Sequence, residues 1–251
     1  MASILKASND RYGRLCRFAD QATDETLRRF QACLVDEDFI GAGHTSIPAA
    51  GAPATGYPWV QKTVHTTGSP SVAVVPNSPA GIVQLAVDAT AEKQEATLYA
   101  NDQRNWDVTK GLTWEARLAF ATVPGTGVEA VFGLSAAWVD GPDNAAAYVR
   151  FQASGSGLVN MQAFDGVTAV TGPTGVTLAP GAFHLFRIDA YDVANVCFFI
   201  DGAQISAKGQ FAFAATAPAS VLQPYLSVYK AGGTGMATMQ VDAIQAGADR
   251  V

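Results

Sequence analysis

Charge is scarce in this chain. Asp, Glu, Lys and Arg make up only 15% of its 251 residues, and 22 acids against 16 bases leave a net charge of −6. That balance excludes an overall basic footprint for nucleic acid or an anionic membrane. Cysteine is scarcer still. Cys16, Cys33 and Cys197 are odd in number and lack framework spacing, which excludes a disulfide scaffold. Reduced thiols in a protein assembled inside a cell are the expectation. Long apolar runs are missing as well. The opening MASILKASNDRYGR has only Ile4 and Leu5 where a signal peptide needs a longer stretch, and no segment approaches the ~20 apolar residues of a membrane-spanning helix. The reading is a soluble chain with neither membrane nor nucleic acid as a partner.

Catalytic and metal signatures are thin. A glycosidase needs two carboxyl groups facing one cleft, yet the segment 111–120 offers Glu115 followed by Arg117, and Asp189 and Asp242 stand alone in theirs. Gly133-Leu-Ser135 lacks the closing glycine of a nucleophile elbow and sits inside a strand pattern. His44, His65 and His184 are far apart, with no acid or cysteine at zinc spacing. Asp140, Asp143 and Asn144 share one loop and could offer oxygens to calcium, although side-chain caps of a turn explain them equally well. The expectation is therefore no enzyme, no resident metal and no cofactor.

What the chain has in quantity is β pattern. Strands are expected at 59–66, 71–75, 82–88, 95–100, 111–120, 128–138, 146–153, 158–164, 183–191, 196–201, 203–207, 222–230 and 235–245. Turn signals such as Asp165-Gly166, Pro180-Gly181 and Asp201-Gly202 punctuate them, since glycine supplies the positive φ of tight hairpins. Short strands at this spacing, without helical patterns between them, indicate an all-β sandwich or jelly roll.

Residues 1–38 differ, being richer in charge of mixed sign. Leu27, Phe30 and Leu34 recur at helical spacing behind Thr23 as an N-cap, so a helix over 23–34 is expected, its apolar stripe anchoring the arm to the sandwich or to a neighbouring subunit. Residues 39–58 turn to Gly, Ala, Pro and Thr and read as an extended linker, leaving 59–251 as the sandwich.

Alternation gives each strand one apolar and one polar or aromatic face. The second kind carries Glu115, Arg117, Tyr148, Arg150, Arg187, Asp189, Tyr225 and Tyr229. On neighbouring strands these would form one surface. Its composition suits a solvated sheet with cross-strand ion pairs, a protein interface, or sugar binding.

Phe183-His-Leu-Phe-Arg-Ile-Asp-Ala-Tyr191 followed by Val196-Cys-Phe-Phe-Ile-Asp-Gly202 resembles the concanavalin A-like and laminin G-like sandwiches, as do Tyr148-Val-Arg-Phe151 and Val131-Phe-Gly-Leu134. The likeness covers roughly 80–245. It implies a concanavalin A-like jelly roll of two antiparallel sheets behind a short helical or extended arm. Asp36-Glu-Asp-Phe39, Tyr57-Pro-Trp-Val60, Glu92-Lys-Gln-Glu95 and Asp107-Val-Thr-Lys-Gly-Leu112 resemble structural proteins of tailed-bacteriophage particles. That resemblance implies a virion location. It also implies a capsid-decoration or head-associated role, with the major capsid protein, other virion proteins or sister subunits as partners and a homo-oligomer, a trimer first. A lectin-like module of a head or tail fibre, binding a surface glycan, is the alternative.

Overall fold

The structure, a computed structural model, describes residues 5–9, 15–20, 31–39, 46–51, 59–78, 81–155, 157–216 and 218–249. Strands β1 (Leu5–Asn9) and β2 (Leu15–Asp20) form a separate antiparallel hairpin. Eight strands make the first main sheet: β4 (Val60–Val64), β7 (Gln94–Tyr99), β8 (Trp106–Asp107), β10 (Val128–Ser135), β11 (Tyr148–Ser154), β12 (Leu158–Phe164), β13 (Ala169–Thr177) and β17 (Val221–Lys230). Its order is β13-β12-β11-β10-β17-β7-β4, with β8 paired to the start of β17. The second sheet contains β3 (Gln31–Glu37), β5 (Ser71–Val74), β6 (Val83–Val87), β9 (Leu112–Thr122), β14 (His184–Ala190), β15 (Cys197–Ile200), β16 (Ala203–Gln204) and β18 (Ala237–Asp249). It runs β16-β15-β14-β9-β18-β6-β5, and β3 lies against the far end of β18. All these strand pairings are antiparallel, so the chain is an all-β sandwich of two antiparallel sheets, as the alternation implies.

The apolar faces meet in between. Phe132 and Phe151 stack at 5.6 Å on the first sheet, and both meet Phe186 of the second edge-on, at 4.8 and 5.1 Å. Phe198 joins at 5.2 Å from Phe151, and Phe211 at 4.9 Å from Phe198. These five rings are essentially inaccessible, each contributing about 1.5–3 kcal/mol by burial. Asp201 and Gly202, with φ of 51° and 81°, form the two-residue turn from β15 to β16 that the Asp-Gly signal marks.

Two expectations change in the N-terminal region. Residues 31–34, placed in the helix by their spacing, belong to β3, where Leu34 pairs with Gly247 and Val35 with Ala246. The open edge of β18 offers main-chain partners to the whole segment, which a short helix alone could not match. Residues 23–30, with Leu27 and Phe30, lie outside the described residues. The sandwich also reaches back past residue 59. Phe39 and Ile47 are 2% and 3% exposed within the core, and Phe39 sits 6.3 Å from Trp59. β13 is an addition: Gly172 and Pro173 disguise it in the sequence, yet an edge strand tolerates a residue without an N–H.

One buried cation pins the corner beyond β17. The Lys230 side chain is inaccessible, and four main-chain carbonyls lie within hydrogen-bond distance of its Nζ, whose three N–H groups they share. These are Asp88 at 2.5 Å, Thr90 at 2.8 Å, Gly233 at 3.1 Å and Gly235 at 3.2 Å.

Candidate functional site

The outward face of the first sheet is the richest in polar chemistry. Register places Val60, Tyr99, Tyr225, Gly133, Arg150, Gln162 and Thr171 in one row across it. Gly133 is required there. Its φ is 151°, and a Cβ would come within 2.7 Å of the Arg150 Cα, so only glycine lets β10 and β11 close up at this point.

The connection from β10 to β11, residues 136–147, crosses half of this face as a strap. Trp138 is its anchor: Nε1 donates to Glu95 Oε1 at 2.9 Å, its main-chain N–H to Asp102 at 2.7 Å, and the Lys62 ammonium lies 3.3 Å from its ring centroid. Glu95, wholly buried, accepts further hydrogen bonds from Thr97 at 2.7 Å, Tyr225 at 3.3 Å, Gly141 N–H at 3.3 Å and Ser227 at 3.4 Å. Burial, and then the charge of Glu95, pushes the Tyr225 phenol far above its ordinary value. Glu95 and Tyr225 are thus interior structure under the strap.

The other half of the face is open, and here five polar side chains are arranged in a ring. Arg150 Nε donates to Gln162 Oε1 at 2.8 Å, Gln162 Nε2 to Gln152 Oε1 at 2.8 Å, and Gln152 Nε2 to Glu129 Oε2 at 2.7 Å. Asp143 pairs with Arg150 and lies close enough to Glu129 for the two carboxyl groups to feel each other's charge. Burial, and then the neighbouring Asp143 carboxylate, pushes Glu129 up to about 6. Arg150 is only 1% exposed; its Nη1 reaches the Pro142 carbonyl at 2.7 Å and its guanidinium lies 3.8 Å over the Tyr148 ring. Phe164 sits 5.6 Å from Tyr148, extending an aromatic margin beside the amides. Tyr229 pairs with Glu129 across the strands, and burial raises its phenol too.

The eight residues expected to share one surface divide between two. Tyr148, Arg150, Tyr225 and Tyr229 are on the face just described. Glu115, Arg117, Arg187 and Asp189 are on β9 and β14, on the opposite side of the sandwich. There Glu115 stands opposite Arg187, Arg117 binds Asp242 at 2.5 Å, and Arg187 covers Phe199 at 4.0 Å. That half has the form of a sheet held by cross-strand pairs. The loop acids considered for calcium are engaged by cations of the protein itself: Asp140 by Lys93 at 2.5 Å and Asp143 by Arg150. Asn144 donates to the Asp140 carbonyl at 2.8 Å.

Glu129, Gln152 and Gln162 are the functional candidates that the sequence reading passed over. Their one signal is alternation. Gln152 follows Arg150 on the polar side of β11, and Glu129 opposes Ala130 and Phe132 on β10. Chemically, the ring presents fixed amides, two carboxyl groups and an aromatic edge, a set suited to hydroxyl-rich ligands.

No family model matches the chain, and no curated protein matches it. Solved structures do. A protein of unknown function from Shewanella oneidensis MR-1 aligns with a TM-score of 0.59 at 10% identity, over 91% of this chain and 94% of that one. An immunostimulatory antigen and pseudo β-1,3-glucanase of Mycobacterium tuberculosis aligns at 0.53 and 19%, over 86% and 98%. The carbohydrate recognition domain of Emp46p, in its potassium-bound form, aligns at 0.51 and 9%, over 82% and 98%. These likenesses establish the fold, a jelly-roll-like sandwich of the lectin and glucanase type.

Proposed function

We propose that this chain is a non-enzymatic, lectin-like β-sandwich whose ligand is a carbohydrate held on the open half of the first sheet. The observation that carries the reading is the hydrogen-bonded series Asp143–Arg150–Gln162–Gln152–Glu129 beside Tyr148 and Phe164. Planar amides locked by neighbours present fixed donors and acceptors to hydroxyl groups, and an aromatic edge packs against sugar C–H faces. Neighbours in fold space that recognise or process carbohydrate support it. A glycan array probed with the full chain tests it. Reproducible binding that is lost in Gln162→Ala and Tyr148→Ala is the expected result, and retention of no glycan sinks the proposal. Tyr225→Ala is a different case, because that ring is buried under the strap and its loss acts through stability.

The virion setting implied by the sequence resemblance is a second proposal. A lectin-like domain on a phage particle, held by its N-terminal arm to capsid protein or sister subunits, would face outward and meet glycans there. The stretches Asp36–Phe39 and Asp107–Leu112 support it through their resemblance alone. Removing residues 1–30 leaves β3 in place, so loss of incorporation into particles would support anchoring by the arm, and normal incorporation would refute it.

A further inference from the structure

We infer that the open face takes an uncharged or amine-bearing glycan and turns away uronates, sulfates and sialic acids. This rests on the carbohydrate-binding reading above and adds the charge class of the ligand.

The argument is the balance of charge at the ring. Two carboxyl groups, Glu129 and Asp143, stand at its outer end, and the Asp143 side chain is 58% exposed. The nearest cation, Arg150, is covered. Its Nε is engaged by Gln162, its Nη1 by the Pro142 carbonyl and its Nη2 by Asp143, with 1% of the side chain accessible. The other neighbouring cation, Lys93, is held by Asp140 at 2.5 Å. Both phenols beside the ring, Tyr148 and Tyr229, are shifted upward by burial and stay neutral donors at physiological pH. Beyond the bonds made within the ring, Gln152 and Gln162 each keep one amide N–H and one carbonyl lone pair, the pairing that a hydroxyl satisfies.

A ligand carboxylate or sulfate here would lie against two acids with no disengaged guanidinium or ammonium to meet it, and like charges juxtaposed at an interface disfavour binding. A ligand amine would meet the same acids favourably. Protonation of Glu129 at lower pH removes one of the opposing charges.

The test is a glycan array at pH 7.5 carrying neutral, amine-bearing, uronate, sulfated and sialylated forms of common backbones. The full-length protein is expected to retain only neutral and amine-bearing forms. The double variant Glu129→Gln, Asp143→Asn is expected to gain about tenfold or more for acidic forms of whichever backbones are retained. Circular dichroism and a melting curve establish that the variant is folded. Wild-type binding of an acidic glycan as tight as that of its neutral counterpart would overturn the inference and leave the carbohydrate reading standing. Unchanged discrimination in a folded double variant would overturn it as well. Retention of no glycan at all would remove the reading and the inference together.

Discussion

Arg150 lies with its guanidinium 3.8 Å over the ring of Tyr148 while its nitrogens reach Gln162, Pro142 and Asp143. One side chain thereby fixes β12, the strap and the aromatic margin together. Arg150→Met keeps the length and removes the fork. Leaving Asp143 and Gln162 without their donor is expected to lower stability by about 3 kcal/mol. Arg150→Lys recovers only part of this, because an ammonium cannot address partners along a planar fork. Urea denaturation of the two variants measures both effects.

Glu129 gives the stability profile a slope with a defined sign. Its folded value of about 6 lies above the ordinary 4.5, so the folded state holds its proton more tightly than the unfolded chain. The associated stability is complete below pH 4.5 and is lost as pH rises to 6, by up to about 2 kcal/mol. Glu129→Gln is expected to flatten this part of the profile, which denaturation at pH 4.5, 5.5 and 7 would show.

The strap hangs on Trp138. Trp138→Phe keeps the ring under Lys62 but deletes the hydrogen bond to Glu95, a loss of roughly 1 kcal/mol or more. The Gly141 N–H, which donates to the same carboxylate at 3.3 Å, is expected to exchange with solvent faster in this variant. Hydrogen exchange read by NMR settles it; an unchanged rate would show that the strap is held elsewhere.

How much of this was legible beforehand depends on the kind of information required. Alternation is a local property, so Val149 and Phe151 against Tyr148 and Arg150 could be read directly, and so could the turn at Asp201 and Gly202. Which sheet a strand joins is a property of its partners. Arg187 and Arg150 look alike along the chain, yet they end on opposite sides of the sandwich because β14 pairs with β9 and β11 with β10. The ring joins four residues from three strands to Asp143 in a loop, and no spacing in the sequence encodes such a set. β3 was hidden for a related reason: the apolar spacing that ends at Leu34 favours a helix, whereas the edge of β18 decides for a strand.

That edge makes a sharp prediction about truncation. Deletion through residue 30 keeps β3, and the protein is expected to remain monodisperse to the extent that the full chain is. Deletion through residue 39 uncovers the β18 edge from Ile244 to Asp249 and removes Phe39 from beside Trp59. Lower thermal stability and edge-to-edge aggregation are expected, seen by melting and light scattering. A fully stable, unaggregated product of the longer deletion would mean that β3 adds little to the fold.

The four carbonyls around Lys230 form a nest that could have been served by a dissolved ion. Here the positive charge is covalently attached, and its local concentration does not depend on the medium. Dilution cannot empty this corner and a chelator cannot strip it. The protein carries its own cation into this corner, tethered by the chain that folds around it.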